Sequence, residues 1–103
     1  MRLLVTGAGG MLGQAVAAVA ARLGHDVVAL DSSALDVTDA AAVREVLTGS
    51  QPRAIVNCAA WTDVDGAEEH EEQALAVNGT GAGELARAAD AAGARIVHVS
   101  TDY

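Results

Sequence analysis

Apolar positions along this chain fall into two alternating rhythms. "RLLVT" (Arg2–Thr6), "DVVAL" (Asp26–Leu30), "AIVNCAA" (Ala54–Ala60) and "RIVHVS" (Arg95–Ser100) are short, nearly continuous apolar runs. Runs of that length and texture predict strands covered on both faces, as in a parallel sheet. Between them the period lengthens. Leu12, Val16, Val19 and Leu23 recur at spacings of four, three and four, one stripe of a helix beginning near Met11. Gly24 follows, at the place where a glycine adopts positive φ cheaply and stops a helix. A second helix is expected over Val43, Val46 and Leu47, with Thr38 or Asp39 as its N-cap. A third runs from about residue 67 to residue 92, its inner stripe Leu75, Asn78, Ala82, Leu85 and Ala89, and Gly93 ends it. Strands alternating with helices through short turns predict a doubly wound α/β domain: a parallel sheet with right-handed crossovers.

Composition narrows this picture. The 103 residues make one domain at most, and half of them are hydrophobic, mostly Ala, Val and Leu, with no Phe, one Trp and one Tyr. Small apolar side chains suit close packing of helix on sheet. Eleven glycines and a single proline, Pro52, argue for tight turns rather than disorder. The net charge of −8 speaks against nucleic-acid or anionic-membrane partners. Cys58 is the sole cysteine, which excludes an intrachain disulfide and a cysteine-built metal site and fits a reduced, cytoplasmic compartment. The apolar run at the N-terminus is too short for a signal peptide or a membrane span.

The chemistry starts at "VTGAGGMLG", where Gly7, Gly10 and Gly13 stand three apart, directly after one strand and at the start of a helix. A dinucleotide's pyrophosphate needs bare backbone N–H groups at a helix N-terminus, after a turn tight enough to bring them there. A side chain at Gly10 would occupy the phosphate's place, and one at Gly13 would push the helix off the sheet. The G-x-G-x-x-G form fails because Leu12 stands at its last glycine, whereas G-x-x-G-x-x-G fits throughout. Asp31 ends the second strand about twenty residues on, where an acid accepts hydrogen bonds from the adenosine ribose. The plainer reading of Asp31 is a turn or N-cap aspartate before Ser32. An acid there favours NADH by repelling a 2′-phosphate, while Ser32 and Ser33 are donors for that phosphate, so NADPH or NADH remains open.

Four blocks in order, "VTGAGGMLG", "LDVTD", "VNCAAWTDVDGAE" and "VSTDY", resemble the extended short-chain dehydrogenase/reductases and, among them, the dTDP-4-dehydrorhamnose reductase family. The resemblance covers nearly the whole chain and implies an NAD(P)-binding Rossmann-type domain over residues 1–103, truncated before the C-terminal substrate region. It implies that Gly10, Met11 and Leu12, flanked by Gly7 and Gly13, hold the pyrophosphate, and that Asp31 holds the ribose. Asp36 and Val37 match the adenine-holding pair. Ala60, Trp61, Thr62 and Val99 match positions bordering the nicotinamide side, and Thr101 and Asp102 match substrate contacts. The reaction implied is hydride transfer from NADPH or NADH to the C4 keto group of dTDP-4-dehydro-L-rhamnose, giving dTDP-L-rhamnose for cell-wall polysaccharide. Thr101 would aim a donor at the keto oxygen as charge develops there.

In that family a tyrosine protonates the oxygen and a lysine four residues later lowers the tyrosine's pKa. This chain has no lysine, and its one tyrosine is Tyr103, which aligns elsewhere. The pair is therefore absent from these residues, as is the sugar-binding region, and the 103 residues alone are expected to be inactive. A homodimer of the full-length protein stays open. Two other functions stay open with it: a nucleotide-binding subunit without catalysis, and a sugar-nucleotide epimerase or dehydratase.

Several residues invite a plainer reading. Asn78, on an otherwise apolar stripe, must hydrogen-bond main chain or cofactor. Trp61 is expected beside a pocket. "EEHEE" (Glu68–Glu72) reads as a solvated helix face and not a metal site. His98 is expected to be a packed, satisfied strand histidine, and Cys58 to be core and not a nucleophile.

Overall fold

A computed structural model of the chain describes residues 1–59 and 76–99, with side chains from residue 79 onward in the second stretch. The elements are β1 (Arg2–Thr6), α1 (Met11–Arg22), β2 (Asp26–Leu30), α2 (Ala40–Ser50), β3 (Ala54–Asn57), a π-helical segment Ala76–Gly81, α3 (Ala82–Ala92) and β4 (Arg95–His98). All strand pairs are parallel and the order is β2-β1-β3-β4. This is the doubly wound arrangement expected. Leu4 stands beside Val28 and Ile55, and Ile55 beside Ile96, so one apolar row crosses the whole sheet.

Alternation along each strand splits the core in two. Leu4 and Ile55 face a layer built by α2, α3 and the β2–α2 connection, where they join Leu35, Val37, Val43, Leu47, Leu85 and Ala89. Val5, one residue out of phase with Leu4, is fully buried outside that cluster, on the face that α1 covers. Helix α2 starts where Asp39 accepts a hydrogen bond from Ala42 N at 3.2 Å, so Asp39 and not Thr38 is the cap. Gly24 and Gly93, at φ +88° and +73°, follow the ends of α1 and α3 as anticipated.

The sheet-facing side of α1 differs from the expectation. Gly13 and Ala20 are buried and Val16 and Ala17 half-buried, while Leu12, Val19 and Leu23 are exposed. The fully buried positions of the helix are thus its small residues. The large apolar residues are left on its flank. The third and fourth strands are also shorter than their apolar runs, ending at Asn57 and His98. Cys58 N–H still donates to Thr6 O at 3.2 Å, and Val99 N–H to Asn57 O at 3.1 Å, so the backbone pairing continues one residue beyond each strand.

Candidate functional site

The chain leaves β1 toward β2 on one side and later returns to β3 on the other. At such a reversal the loops beyond the strands' C-terminal ends part and leave a crevice. Here its walls are the turn after Thr6 and the backbone after Asn57. Gly7 has φ +64°, and a Cβ added to it would lie 2.5 Å from Cys58 C, Cys58 O and Ala59 N. The turn thus rests directly on the exit of β3. A Cβ at Gly13 would collide with Gly7 O and Ala8 Cα, so the close approach there is of helix to turn, not of helix to sheet.

Gly10 behaves differently. A Cβ there would meet nothing nearer than Gly7 O at 3.7 Å, an ordinary contact, and the residue is exposed. Among the described residues, nothing in the packing requires a glycine at this position. A ligand lying on the backbone would. Gly10 is also the N-cap of α1 and offers no side-chain cap, so the first-turn N–H groups lack both a capping group and an intrahelical acceptor. Gln14 Nε2 braces the turn from within, donating to Gly9 O at 2.9 Å. Together these make a cradle of the kind a diphosphate fits: bare backbone, uncapped donors and the positive end of a helix dipole.

Asp31 belongs to the same assembly. Ala8 N–H donates to Leu30 O at 3.0 Å, and a Cβ on Gly9 would stand 3.1 Å from Asp31 Cβ, so the turn lies against the end of β2. Asp31 Oδ1 accepts from Ser33 Oγ (2.7 Å), Ala34 N (2.9 Å) and Ser33 N (3.1 Å). The Ser33 hydroxyl bond, followed by the Ala34 amide, holds this carboxyl below its ordinary value. The turn aspartate foreseen as the plainer reading is therefore real. Among the described residues its other oxygen accepts nothing, so the turn role and a ribose role are compatible. Asp36 repeats the device, with Oδ1 accepting from Thr38 Oγ1 (2.6 Å) and Thr38 N (2.9 Å), and its pKa too is lowered, mainly by that hydroxyl. Val37 is buried in the core, so only its main chain is left for a ligand. Met11 and Leu12 are exposed at the mouth of the cradle and Val99 is half-buried beyond β4. Ala60, Trp61, Thr62, Thr101, Asp102 and Tyr103 lie outside the described residues, as do the "EEHEE" stretch and the side chain of Asn78.

One polar group had no place in the sequence reading. Among the described residues, Thr6 and Asn57 are the two buried polar ones, at 0% and 4% exposure. Thr6 Oγ1 donates to Asn57 Oδ1 at 2.6 Å, Ala59 N–H donates to the same oxygen at 3.1 Å, and Asn57 Nδ2 lies 3.1 Å from His98 Nδ1. A polar residue inside the run "AIVNCAA" was the available signal. His98 is satisfied by this bond but exposed, not packed, because β4 is the edge of the described sheet. Cys58 is half-buried and its thiol is pushed up by desolvation, the opposite of an activated nucleophile. A groove of about 810 Å³ runs between α2 and α3, from Ala40 and Glu84 at their starts to Gln51, Pro52 and Ala92 at their ends, and none of the candidate site residues lines it.

The model of the family described as RmlD substrate binding domain matches residues 1–103, the entire chain. The chain belongs to that family. A relative from Mycobacterium tuberculosis, a dTDP-4-dehydrorhamnose reductase, is 54% identical over 102 residues, covering 99% of this chain and 33% of that protein. A crystal structure of a dTDP-4-dehydrorhamnose reductase ortholog from Clostridium acetobutylicum is 39% identical with a TM-score of 0.92, matching 100% of this chain and 37% of that one. The dTDP-4-dehydrorhamnose reductase of Bacillus anthracis, crystallised in complex with NADP, is 36% identical with a TM-score of 0.91, over 99% of this chain and 37% of its own. The chain therefore spans about a third of the length of the family members it matches.

Proposed function

We propose that these residues are the cofactor-binding part of a reductase that moves a hydride from NADPH or NADH to the C4 keto group of dTDP-4-dehydro-L-rhamnose, giving dTDP-L-rhamnose. The observation that carries this reading is Gly10, bare where the packing of the described residues has no need of it, at the uncapped start of α1. The family's reductases and the NADP complex of the Bacillus anthracis relative support it. When bound, the dinucleotide supplies the hydride. The chain's part is to hold it: the first-turn N–H groups of α1 grip the diphosphate, Asp31 the ribose, and Asp36 with the main chain of Val37 the adenine. Ala60, Trp61, Thr62 and Val99 border the nicotinamide end. Thr101 directs a hydroxyl at the keto oxygen, and Asp102 contacts the sugar nucleotide.

The lack of lysine means that the proton-donating pair must come from elsewhere. Two measurements test the reading. A Tyr-x-x-x-Lys encoded within a few tens of codons after Tyr103 is expected in the coding sequence, and a stop codon there leaves at best a nucleotide binder. The complete polypeptide is expected to oxidise NADPH or NADH in the presence of dTDP-4-keto-6-deoxy sugar. Oxidation of neither cofactor overturns the reductase.

A further inference from the structure

The turn after β2 presents two opposed signals to a dinucleotide. Asp31 offers a negative charge, which suits the free 2′-hydroxyl of NADH. Ser32 and Ser33 offer hydroxyls as donors to the 2′-phosphate of NADPH. The hydrogen bonds decide between them.

The donors around Asp31 hold its carboxyl below the ordinary value, so near neutral pH it is an ion and only accepts. Ser33 Oγ has one proton, and it goes to Asp31 Oδ1 at 2.7 Å. Ser33 N and Ala34 N donate to the same oxygen at 3.1 and 2.9 Å. The hydroxyl that would have met a phosphate is thus part of the clamp that orients the carboxylate. Among the described residues Oδ2 accepts nothing, which leaves a charged acceptor open. Ser32 remains as a donor, but a neutral hydroxyl does not cancel a charge.

Position is fixed as well as orientation. A Cβ added to Gly9 would stand 3.1 Å from Asp31 Cβ, so the acid lies beside the turn that precedes α1. A dinucleotide whose diphosphate sits at the start of α1 brings its adenosine ribose to the end of β2. A ribose hydroxyl there can donate to Oδ2. A 2′-phosphate carries about two negative charges near neutral pH and brings only acceptors.

The cations of the chain stand elsewhere. It has no lysine. Arg2 and Arg95 begin β1 and β4, Arg53 precedes β3 and Arg22 closes α1, all at the end of the sheet opposite Asp31. Arg44 and Arg87 line the groove between α2 and α3, where Arg87 pairs with Glu84.

We propose that Asp31, clamped by Ser33, sets the coenzyme preference of this chain, accepting the ribose of NADH and repelling the 2′-phosphate of NADPH. This rests on the dinucleotide reading above and narrows it. Rejecting one ligand with a like charge yields specificity as well as attracting the other does. The Bacillus anthracis relative was crystallised with NADP, so the preference belongs to this chain's own residues and is not carried over from that protein.

The test is a fluorescence titration of the complete polypeptide encoded by the gene with NADH and with NADPH. Wild type is expected to bind NADH at least roughly tenfold more tightly. Raising the ionic strength from about 0.02 to about 0.5 M should narrow that ratio, because salt screens repulsion between exposed charges. Asp31→Asn keeps an oxygen for the clamp donors and loses the charge. It should close most of the gap, chiefly through tighter NADPH binding, and its ratio should no longer respond to salt. Ser33→Ala should weaken NADH at least as much as NADPH. A loss confined to NADPH in Ser33→Ala, a wild type that binds NADPH as tightly as NADH, a wild-type ratio indifferent to salt, or an Asp31→Asn ratio equal to that of wild type each overturns the proposal. Binding of neither dinucleotide defeats the cradle reading itself and takes the preference with it. Binding of either one leaves that reading standing, and the ratio then judges the preference alone.

Discussion

Three glycines that look alike in the sequence answer to different neighbours. Gly7 yields to the exit of β3, Gly13 to the turn itself, and Gly10, among the described residues, to nothing tighter than an ordinary contact with Gly7 O. Gly10→Ala should therefore leave thermal stability within about 0.5 kcal/mol of wild type, while NADPH affinity, read by fluorescence titration, falls at least roughly tenfold. Gly13→Ala should do the reverse first, lowering the melting temperature through about 1–3 kcal/mol of overpacking. Asp36 gives a pH signature. Its folded-state carboxyl titrates below its ordinary value of 3.8, so unfolding takes up a proton in acid. The stabilisation is complete above the ordinary value and fades as pH falls through the lower, folded one. Asp36→Ala should flatten that acid limb in urea melts at successive pH values. Glycine spacing and turn acids were legible because their partners are close in sequence. The Thr6–Asn57–His98 bonds were not, because they join residues 51 and 41 positions apart, which only the strand order brings together.

Helices and strands show where a periodic pattern informs and where it misleads. β1 and β2 have the limits their apolar runs imply, β1 ending at Gly7 with its positive φ and β2 at the turn that Asp31 closes. In β3 the run continues past the strand because Asn57 folds its amide back onto Ala59 N, a bond that hydropathy does not encode. For α1 the large apolar residues suggested the buried stripe, yet the buried positions are Gly13, set by the turn before the helix, and Ala20, with Val16 and Ala17 half-buried. Helix ends supply two measurable consequences. Asp39→Ala removes the cap on Ala42 N and should cost about 1 kcal/mol in chemical denaturation. Gln51 closes α2 in the left-handed region, with φ 48°, ψ 57° and its N–H on Leu47 O. Gln51→Gly relieves a conformation costly for side-chain-bearing residues and should raise stability by up to about 1 kcal/mol.

Over the whole molecule, alternation of strand and helix was enough to read the parallel sheet, and the right-handed crossover rule enough to put helices on both faces. Which residues form the central cluster depended further on the β2–α2 connection, where Leu35 and Val37 turn inward beneath Asp36, a segment without helical or strand periodicity. Leu85 and Ile55 are both fully buried in that cluster, and truncating either to Ala should cost about 2–5 kcal/mol. At the far side of the described sheet Val97 of β4 is 60% exposed. The contact of Gly7 with the Cys58–Ala59 backbone has a practical corollary for anyone adapting this berth to an unnatural coenzyme analogue. Among the described residues, the floor of the proposed binding surface is main chain against main chain, with no side chain to trim. Extra bulk can be accommodated only outward, over Gly10 and toward the Met11–Leu12 rim, and libraries should be randomised there.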